Sequence, residues 1–411
     1  MNNYKRTVKA CYVGYIVQAI VNNLLPLFFV IFRTEYGIDN SLLGSLILLN
    51  FMIQLIVDLL AAKYGHRLGY RKAMISAHIC AALGLVSVTV LPMLLPDTFI
   101  ALCLSTLLFA VGGGLIEVMV SPLMDSIESD SKSASMSLLH SFYCWGQVLV
   151  VAVSTLFLSA VGSKYWYVLP VSWALIPFLN VFPFIKAPFP EMIPEKKRMP
   201  VKSLIKKPKF ILLILMMVSA GAFELSISQW ASYFAEEGLG VSKTMGDLLG
   251  PCLFAVFMGI SRIIYGIKGS RMNLESSMAF CAGLGIICYL LAALSPNSYI
   301  ALLGCAVCGF SVGLMWPGTL SLAGKSFKSG GTAMFGILAL SGDLGCSLGP
   351  WITGMVSSAA EKSEAFSNFS SRIGFTPEQA GIKLGLLCGT VFPLIALICV
   401  LKEKRTRSEK Q

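Results

Sequence analysis

From position 276 to 324 the chain runs 49 residues without one Asp, Glu, Lys or Arg. Shorter charge-free runs cover 10–32, 73–96, 133–163 and 165–185. A helix or strand at a soluble surface needs a polar face, and these stretches have none to offer. A helix that crosses a bilayer needs about 20 consecutive apolar residues. Twelve segments meet that need, centred near 20, 48, 84, 112, 147, 175, 222, 255, 285, 311, 344 and 390. The 411 residues leave about 34 per segment and loop, so the loops are short. Strand alternation is absent, and the polar interior of a membrane barrel would interrupt such runs. The expected fold is all-α and integral to a membrane, with twelve transmembrane helices.

Composition closes off the other classes. Charged residues are 13% of the chain and hydrophobic ones 56%, with a mean hydropathy of +0.76, where soluble domains carry about 25% charge. Disordered chains, disulfide scaffolds and strings of soluble domains do not look like this. The first apolar run is too long for a signal peptide and lacks a small-x-small cleavage site, so it reads as a retained helix.

The net charge of +11 suggests nucleic acid only until the charges are placed. With the N-terminus inside, inner segments hold 25 of the 32 basic residues and outer segments six, and Arg262 falls within the eighth helix. That asymmetry predicts both termini on the cytoplasmic side of a cell membrane, and it makes the charge a topology signal with no nucleic-acid partner. Arg262 itself reads as snorkelling to the inner headgroups.

The longest inner loop, 187–209, is rich in Pro and Lys and separates residues 1–186 from 210–411, a bundle of six helices on each side. The longest outer loop, about 359–376, ends in Thr376-Pro377-Glu378-Gln379, an N-cap, a first-turn proline and a capping-box glutamine for the last helix. A shift of 201 residues lays Tyr64-Gly65 on Tyr265-Gly266, Cys80-Ala81 on Cys281-Ala282 and Leu83-Gly84 on Leu284-Gly285. Parallel six-helix repeats around a midplane site are a transporter design.

The segment Ala62-Lys63-Tyr64-Gly65-His66-Arg67-Leu68-Gly69-Tyr70-Arg71-Lys72 resembles the loop signature G-x-x-x-D-R-x-G-R-[RK] of the major facilitator superfamily. Arg67, Gly69 and Arg71 match it; Ala62, His66 and Tyr70 stand where the pattern has Gly, Asp and Arg. The resemblance implies that Arg67, Gly69 and Arg71 brace the inner gate and steer conformational switching. Further pieces resemble the fucose-permease-like sugar:proton symporters of that superfamily: Gly112-Gly113-Gly114-Leu115-Ile116-Glu117, Leu139-His140-Ser141-Phe142-Tyr143, Glu224 with Trp230 and Tyr233, Gly313 with Pro317, and Gly342-Asp343-Leu344-Gly345. The resemblance also implies that helices 1, 4, 7 and 10 line a central cavity, with help from 5, 8 and 11.

An ionisable group near the bilayer centre costs roughly 2.5–3.5 kcal/mol on insertion scales, so it needs a partner or a purpose. Glu117, Glu224 and Asp343 are three such groups. Glu117 shares a helix face with Gly113 and Ser121, and Glu224 with Gly221 and Ser228. Tyr15, Gln18 and Asn22 follow helical spacing in the first segment; His140, Tyr143 and Gln147 do so in the fifth. A carboxyl out of water can hold and release a proton, which makes Glu117 the proton-coupling candidate, with His140 as its pair or relay. Glu117 as a purely structural hydrogen-bonding carboxyl is the alternative. The proton-coupled members of the resembled branch also carry an acid in helix one, where this chain has Gln18, Asn22 and Asn23.

Gln18, Asn22, Tyr143, Gln147, Glu224 and Ser228 are the polar candidates for a solute. Trp145, Trp230 and Trp316 are the aromatic ones, suited to stack on a pyranose face or else to pack. Asp343 reads as a gating residue in a glycine-rich setting. Cys305 and Cys308 have a metal or redox spacing, but nothing in the sequence completes a site, and the twelve cysteines read as apolar filler. No nucleotide-binding, zinc-protease or nucleophile-elbow motif occurs, so no enzyme, cofactor or metal is expected.

The reading is a secondary transporter that alternates access to a midplane site, moving a sugar or similar small polar solute, with protons as the possible coupling ion. An efflux carrier for amphipathic compounds is the alternative, and a membrane sensor a more distant one. The lipid bilayer is its environment, and a single copy suffices for the design.

Overall fold

A computed structural model describes residues 4–125, 127, 132–190, 204–268, 272–327 and 331–408. Seven helices build its first part: α1 (Lys5–Asn23), α2 (Phe29–Tyr36), α3 (Asn40–Leu68), α4 (Tyr70–Leu94), α5 (Thr98–Asp125), α6 (Lys132–Val161) and α7 (Val168–Lys186). Beside a single turn at Ala231–Tyr233, ten follow among the described residues: α8 (Pro208–Ser228), α9 (Lys243–Asp247), α10 (Leu253–Lys268), α11 (Leu274–Leu294), α12 (Ser298–Gly313), α13 (Met315–Ser326), α14 (Gly331–Glu361), α15 (Glu364–Arg372), α16 (Pro377–Gly389) and α17 (Val391–Ser408). Among the described residues, eleven helical stretches are long and apolar enough to cross a membrane. The remaining segment, centred near 344, lies in α14, and the twelve-helix architecture is complete.

Several of the twelve crossings are broken rather than straight. Residues Lys5–Tyr36 form one crossing, split where Pro26 opens a 3₁₀ turn over Leu25–Phe28. Proline has no N–H to give the α-ladder. Pro208–Gly238 is the corresponding crossing of the later helices, and its C-terminal end relaxes into a π-turn over Phe234–Gly238. A second π-turn, Leu248–Cys252, contains Pro251 and leads into α10.

The chain packs as two compact units, Met1–Ile38 with Leu49–Pro194, and Asp39–Leu48 with Glu195–Gln411. Helix α3 contributes to both, its first turns belonging to the second unit. In the first unit α4 packs on α5 and α7, and α1 on α6. The α4–α5 approach is backbone to backbone: a Cβ on Gly112 would stand 2.6 Å from the Ala77 carbonyl oxygen. His78, fully buried on α4, ties three helices. Its Nδ1 faces the Met74 carbonyl at 2.8 Å and its Nε2 faces the Asn180 amide at 2.9 Å, while Asn180 also donates to the Ala10 carbonyl at 3.0 Å. A tautomer with the proton on Nδ1 satisfies every one of these groups.

In the second unit α8 and α14 make the closest pair. A Cβ on Gly345 would lie 2.0 Å from the Val218 carbonyl oxygen. Glycine is the residue that lets two helices meet at this distance. The last crossing begins as the sequence predicts: Thr376 Oγ1 accepts from the Gln379 N–H at 3.2 Å, and Gln379 Oε1 accepts from the Thr376 N–H at 3.2 Å. The segment before it, expected as a loop, is not a plain loop. It folds into α15, capped by Ser363, whose side chain accepts from the Phe366 N–H, with Glu364 in the first turn and Arg372 in the last. Both charges suit the helix dipole.

Candidate functional site

The polar residues of the first unit converge. The Gln18 side-chain amide donates to Glu117 Oε2 at 2.7 Å and to Gln54 Oε1 at 2.8 Å. The Gln54 amide donates to Asn22 Oδ1 and Asn50 Oδ1, each at 2.9 Å, and Asn50 donates to Asn22 Oδ1 at 3.1 Å. One chain of amides thus runs from α3 through α1 to the carboxylate on α5. Helical spacing explains the convergence: Gln18 and Asn22 are one turn apart on α1, and so are Asn50 and Gln54 on α3. Gly113, one turn from Glu117, clears the approach, since a Cβ there would sit 3.1 Å from Gln18 Oε1. Glu117 is half-buried; Gln18, Asn22, Asn50 and Gln54 are buried.

A second group borders the first. Tyr15 and Ser121 share a hydrogen bond of 2.8 Å, one turn along α5 from Glu117. His140 meets the Tyr15 ring edge-on at 5.0 Å, so Tyr15 stands between His140 and the Glu117 helix face. Tyr143 accepts from the Asn23 amide at 3.3 Å. Gln147 is buried one turn further along α6.

The second unit answers with charge. Glu224, 8% exposed on α8, has the Arg262 guanidinium of α10 at 3.9 Å. Arg262 therefore does not simply snorkel to the headgroups as its place in the sequence suggests; its side chain turns toward a buried carboxylate that attracts it. Ser228, one turn beyond Glu224, is buried, and its Oγ has no hydrogen-bond partner among the described residues. Elsewhere in this unit the Lys243 ammonium lies 3.4 Å from both Asp247 and the Ser232 hydroxyl.

The aromatic candidates divide. Trp230 is fully buried, donates its indole N–H to the Pro350 carbonyl at 2.9 Å and packs edge-on against Tyr233. Its expected role as a stacking face for a solute is not the one it plays in this conformation. It braces α8 against α14, because a buried indole N–H needs an acceptor. Trp145 is exposed on α6. Trp316 is half-buried, with its six-membered ring over Gly342, where a Cβ would come within 2.3 Å. Asp343, the next residue, is 4% exposed.

The loop-signature residues have separate local roles. Gly69 takes φ +76° at the start of α4, a conformation glycine adopts freely. Arg71 covers the C-terminal end of α7, donating to the carbonyls of Phe184 at 3.1 Å, Ile185, and Ala187 at 2.9 Å. A cation suits the orphan carbonyls of a helix C-terminus. The side chain of Arg67 lies outside the described residues. Among the described residues, no group of three His, Cys, Asp or Glu is placed to hold a metal ion.

Sequence reasoning did not single out Asn50 and Gln54. Their signal was present: two amides at spacing four in an otherwise apolar segment.

Comparison with known proteins bears on the whole chain. Residues 11–350 match the family described as the Major Facilitator Superfamily. Among curated proteins, none matches significantly in sequence. Solved structures do match in fold. A bacterial homologue of the human lysosomal transporter Spinster, captured inward-facing and occupied, aligns with a TM-score of 0.74 at 16% identity, over 97% of this chain and 96% of its own. The nucleoside transporter NupG aligns at 0.74 with 11% identity, over 97% and 98%. The E. coli fucose:proton symporter aligns at 0.63 with 15% identity, over 98% and 99%. With its all-helical fold and a family match over most of its length, the chain belongs to the major facilitator superfamily of membrane transporters.

Proposed function

We propose that this transporter moves a sugar or a similarly hydroxyl-rich small solute by alternating access, driven by protons through Glu117. The observation that carries the reading is the amide chain Asn50–Asn22–Gln54–Gln18 ending on the Glu117 carboxylate. Amides both donate and accept, which suits hydroxyl ligands. A half-buried carboxylate next to amides can take up a proton without leaving a charge in a dry site. Gln18, Asn22, Tyr143 and Gln147 are the solute-binding candidates within the first unit, and Glu224, Ser228 and Trp316 those within the second. His140 would relay protons through Tyr15. Gly69, Arg71 and Asp343 would act in the conformational change, together with Arg67. The orientation follows the basic-residue asymmetry: both termini cytoplasmic in a cell membrane, with one copy as the working unit.

Fold relatives named as a fucose:proton symporter and as a D-xylose–proton symporter support the solute class. The test is uptake of labelled hexoses into proteoliposomes, with and without an inward proton gradient. Gradient-stimulated uptake of at least one sugar is the expected result. Transport of cationic dyes with no sugar uptake would replace this reading with amphipath efflux.

A further inference from the structure

We infer that Arg262 is a positioning residue for the solute: its guanidinium, set beside the buried Glu224 carboxyl, holds that carboxyl in place as a fixed partner for a solute hydroxyl. The inference rests on the sugar reading above and assigns a role to a residue which that reading leaves aside.

Glu224 is 8% exposed, and an ionised carboxylate removed from water is unstable unless a charge compensates it. Arg262 supplies that charge at 3.9 Å. A guanidinium does not lose its proton in a protein, so the compensation is permanent. The distance matters too. At 3.9 Å the two groups attract, yet the contact is longer than a hydrogen bond, and a carboxylate has about four lone-pair sites. Glu224 thus keeps acceptor capacity for a third group.

Where that group would sit is marked by a neighbour. Ser228 lies one turn along the same face of α8, is 5% exposed, and has no partner for its Oγ among the described residues. Glu224 accepting and Ser228 donating or accepting form a pair that adjacent hydroxyls on a sugar ring can satisfy together. Ser226, also on α8, and Ser311 on α12 carry buried hydroxyls of the same kind. Arg262 touches the solute through Glu224 rather than directly, which is why the test must read recognition and not only stability.

The experiment measures KM and maximal rate for a transported hexose and its monodeoxy series in proteoliposomes carrying wild type, R262K, R262M, E224Q and the neutral double variant E224Q/R262M. Size-exclusion profiles in detergent establish that each variant is folded. Wild type is expected to discriminate against one monodeoxy sugar by about tenfold or more in KM, the worth of a hydrogen bond to a charged group. R262M should raise KM for the parent sugar by about tenfold while leaving the maximal rate within about twofold, and should erase discrimination against that one analogue. E224Q should do the same, and the double variant should be no worse than either single, since both changes break one unit. R262K should keep the discrimination.

An R262M protein with unchanged KM and discrimination overturns the assignment and leaves the sugar reading standing. So does a double variant whose losses multiply. If R262M does not fold, R262K and the double variant decide the matter: loss of discrimination in R262K, or its persistence in the double, overturns the assignment. A wild type that moves no sugar brings down the sugar reading and the assignment together.

Discussion

Each of the two units carries a carboxylate on a membrane-crossing helix, half-buried in one and buried in the other, and they differ in what meets it. In the first, Glu117 is met by the Gln18 amide at 2.7 Å and, behind it, by other neutral amides. In the second, Glu224 is met by the Arg262 guanidinium at 3.9 Å. Neutral donors let a carboxyl change its charge, whereas a permanent cation penalises protonation. On the proposed function the comparison is a division of labour: Glu117 would exchange a proton, and Glu224 would hold a solute hydroxyl. The helix faces show the same divergence. Gly113, Glu117 and Ser121 are spaced four and four on α5, and Gly313, Pro317 and Ser321 repeat that spacing across α12 and α13. The glycine and the serine recur, while the carboxylate is replaced by proline.

The most damaging substitution should be one that attacks what the units share, their helix contacts. G345V would drive a branched side chain into the Val218 carbonyl, which a Cβ alone would approach to 2.0 Å. Backbone cannot yield as a flexible side chain does, and overpacking of this kind costs about 1–3 kcal/mol or more. G345V should give little or no monodisperse protein in detergent. A G345V protein with wild-type yield and melting temperature would show that α8 and α14 are not held this closely.

Next comes the contrast between the carboxylates themselves. E117Q should abolish the stimulation of uptake by a proton gradient while preserving exchange of labelled for unlabelled solute across the membrane. E224Q should keep gradient stimulation and raise KM by about tenfold, as expected for losing a charged acceptor. If the two variants behave alike, the division of labour is wrong. If the roles are exchanged, the guanidinium has been misread as a fixed partner.

How much of this was legible in the sequence depends on what each inference required. Glu117, Gln18 and Asn22 were readable because a polar residue inside an apolar helix has few explanations, and helical spacing shows which ones share a face. The capping box at Thr376 was readable because it is local in the chain. Asn50 and Gln54 were equally readable by spacing but carried no charge to draw notice. The Glu224–Arg262 pair was not, because it depends on two helices placing their faces together, and the spacing within one helix says nothing of its neighbour. The packing of Trp230 was hidden for a related reason. Its aromatic ring fits a sugar site, but only packing reveals that the indole N–H is spent on Pro350. Helix α15 was overlooked because nine polar and aromatic residues between two membrane crossings look like a loop until Ser363 is seen to cap them.

The amide network permits a finer test of the first unit. Q54L removes a donor to both Asn22 and Asn50 and an acceptor for Gln18, leaving buried polar groups without partners. Each such group costs about 1–3 kcal/mol, so Q54L should lower the melting temperature in detergent and slow gradient-driven uptake. Q54E keeps the acceptor for Gln18 but sets a second acceptor against Asn22 Oδ1 and Asn50 Oδ1, so it should be no more stable than Q54L. Equal stability of both variants with wild type would mean that the network is solvated rather than a dry relay.

The smallest effect should come from the ion pair at the start of α3, within the second unit, and it sharpens the comparison by showing what an exposed pair is worth. Asp39 Oδ2 lies 2.6 Å from Lys362 Nζ, with the lysine 66% exposed. Partial burial pushes the Asp39 carboxyl up, but hydrogen bonds from Lys362, the Leu42 N–H and Ser41, with the Lys362 charge, outweigh it and bring the pKa down from 3.8 to about 2. A carboxyl whose pKa is depressed by folding stabilises the fold above its unfolded value, and that contribution fades as pH falls from near 3.8 through about 2. Between pH 7 and 5 the pair is therefore fully present, and melting should show no pH dependence from it. Exposed pairs are screened and typically contribute 0.2–1 kcal/mol. D39N should lower stability by less than about 1 kcal/mol at neutral pH, with the difference from wild type shrinking in high salt. Nearby, Asn40 donates to Ser357 at 3.0 Å and to Glu361 at 2.6 Å; Asn40 is itself buried, so N40L should cost more than D39N. If D39N proves the more damaging of the two, charge rather than buried hydrogen bonding holds the start of α3 in the second unit, and the contrast between Glu224 and Glu117 would need to be redrawn with surface charge included.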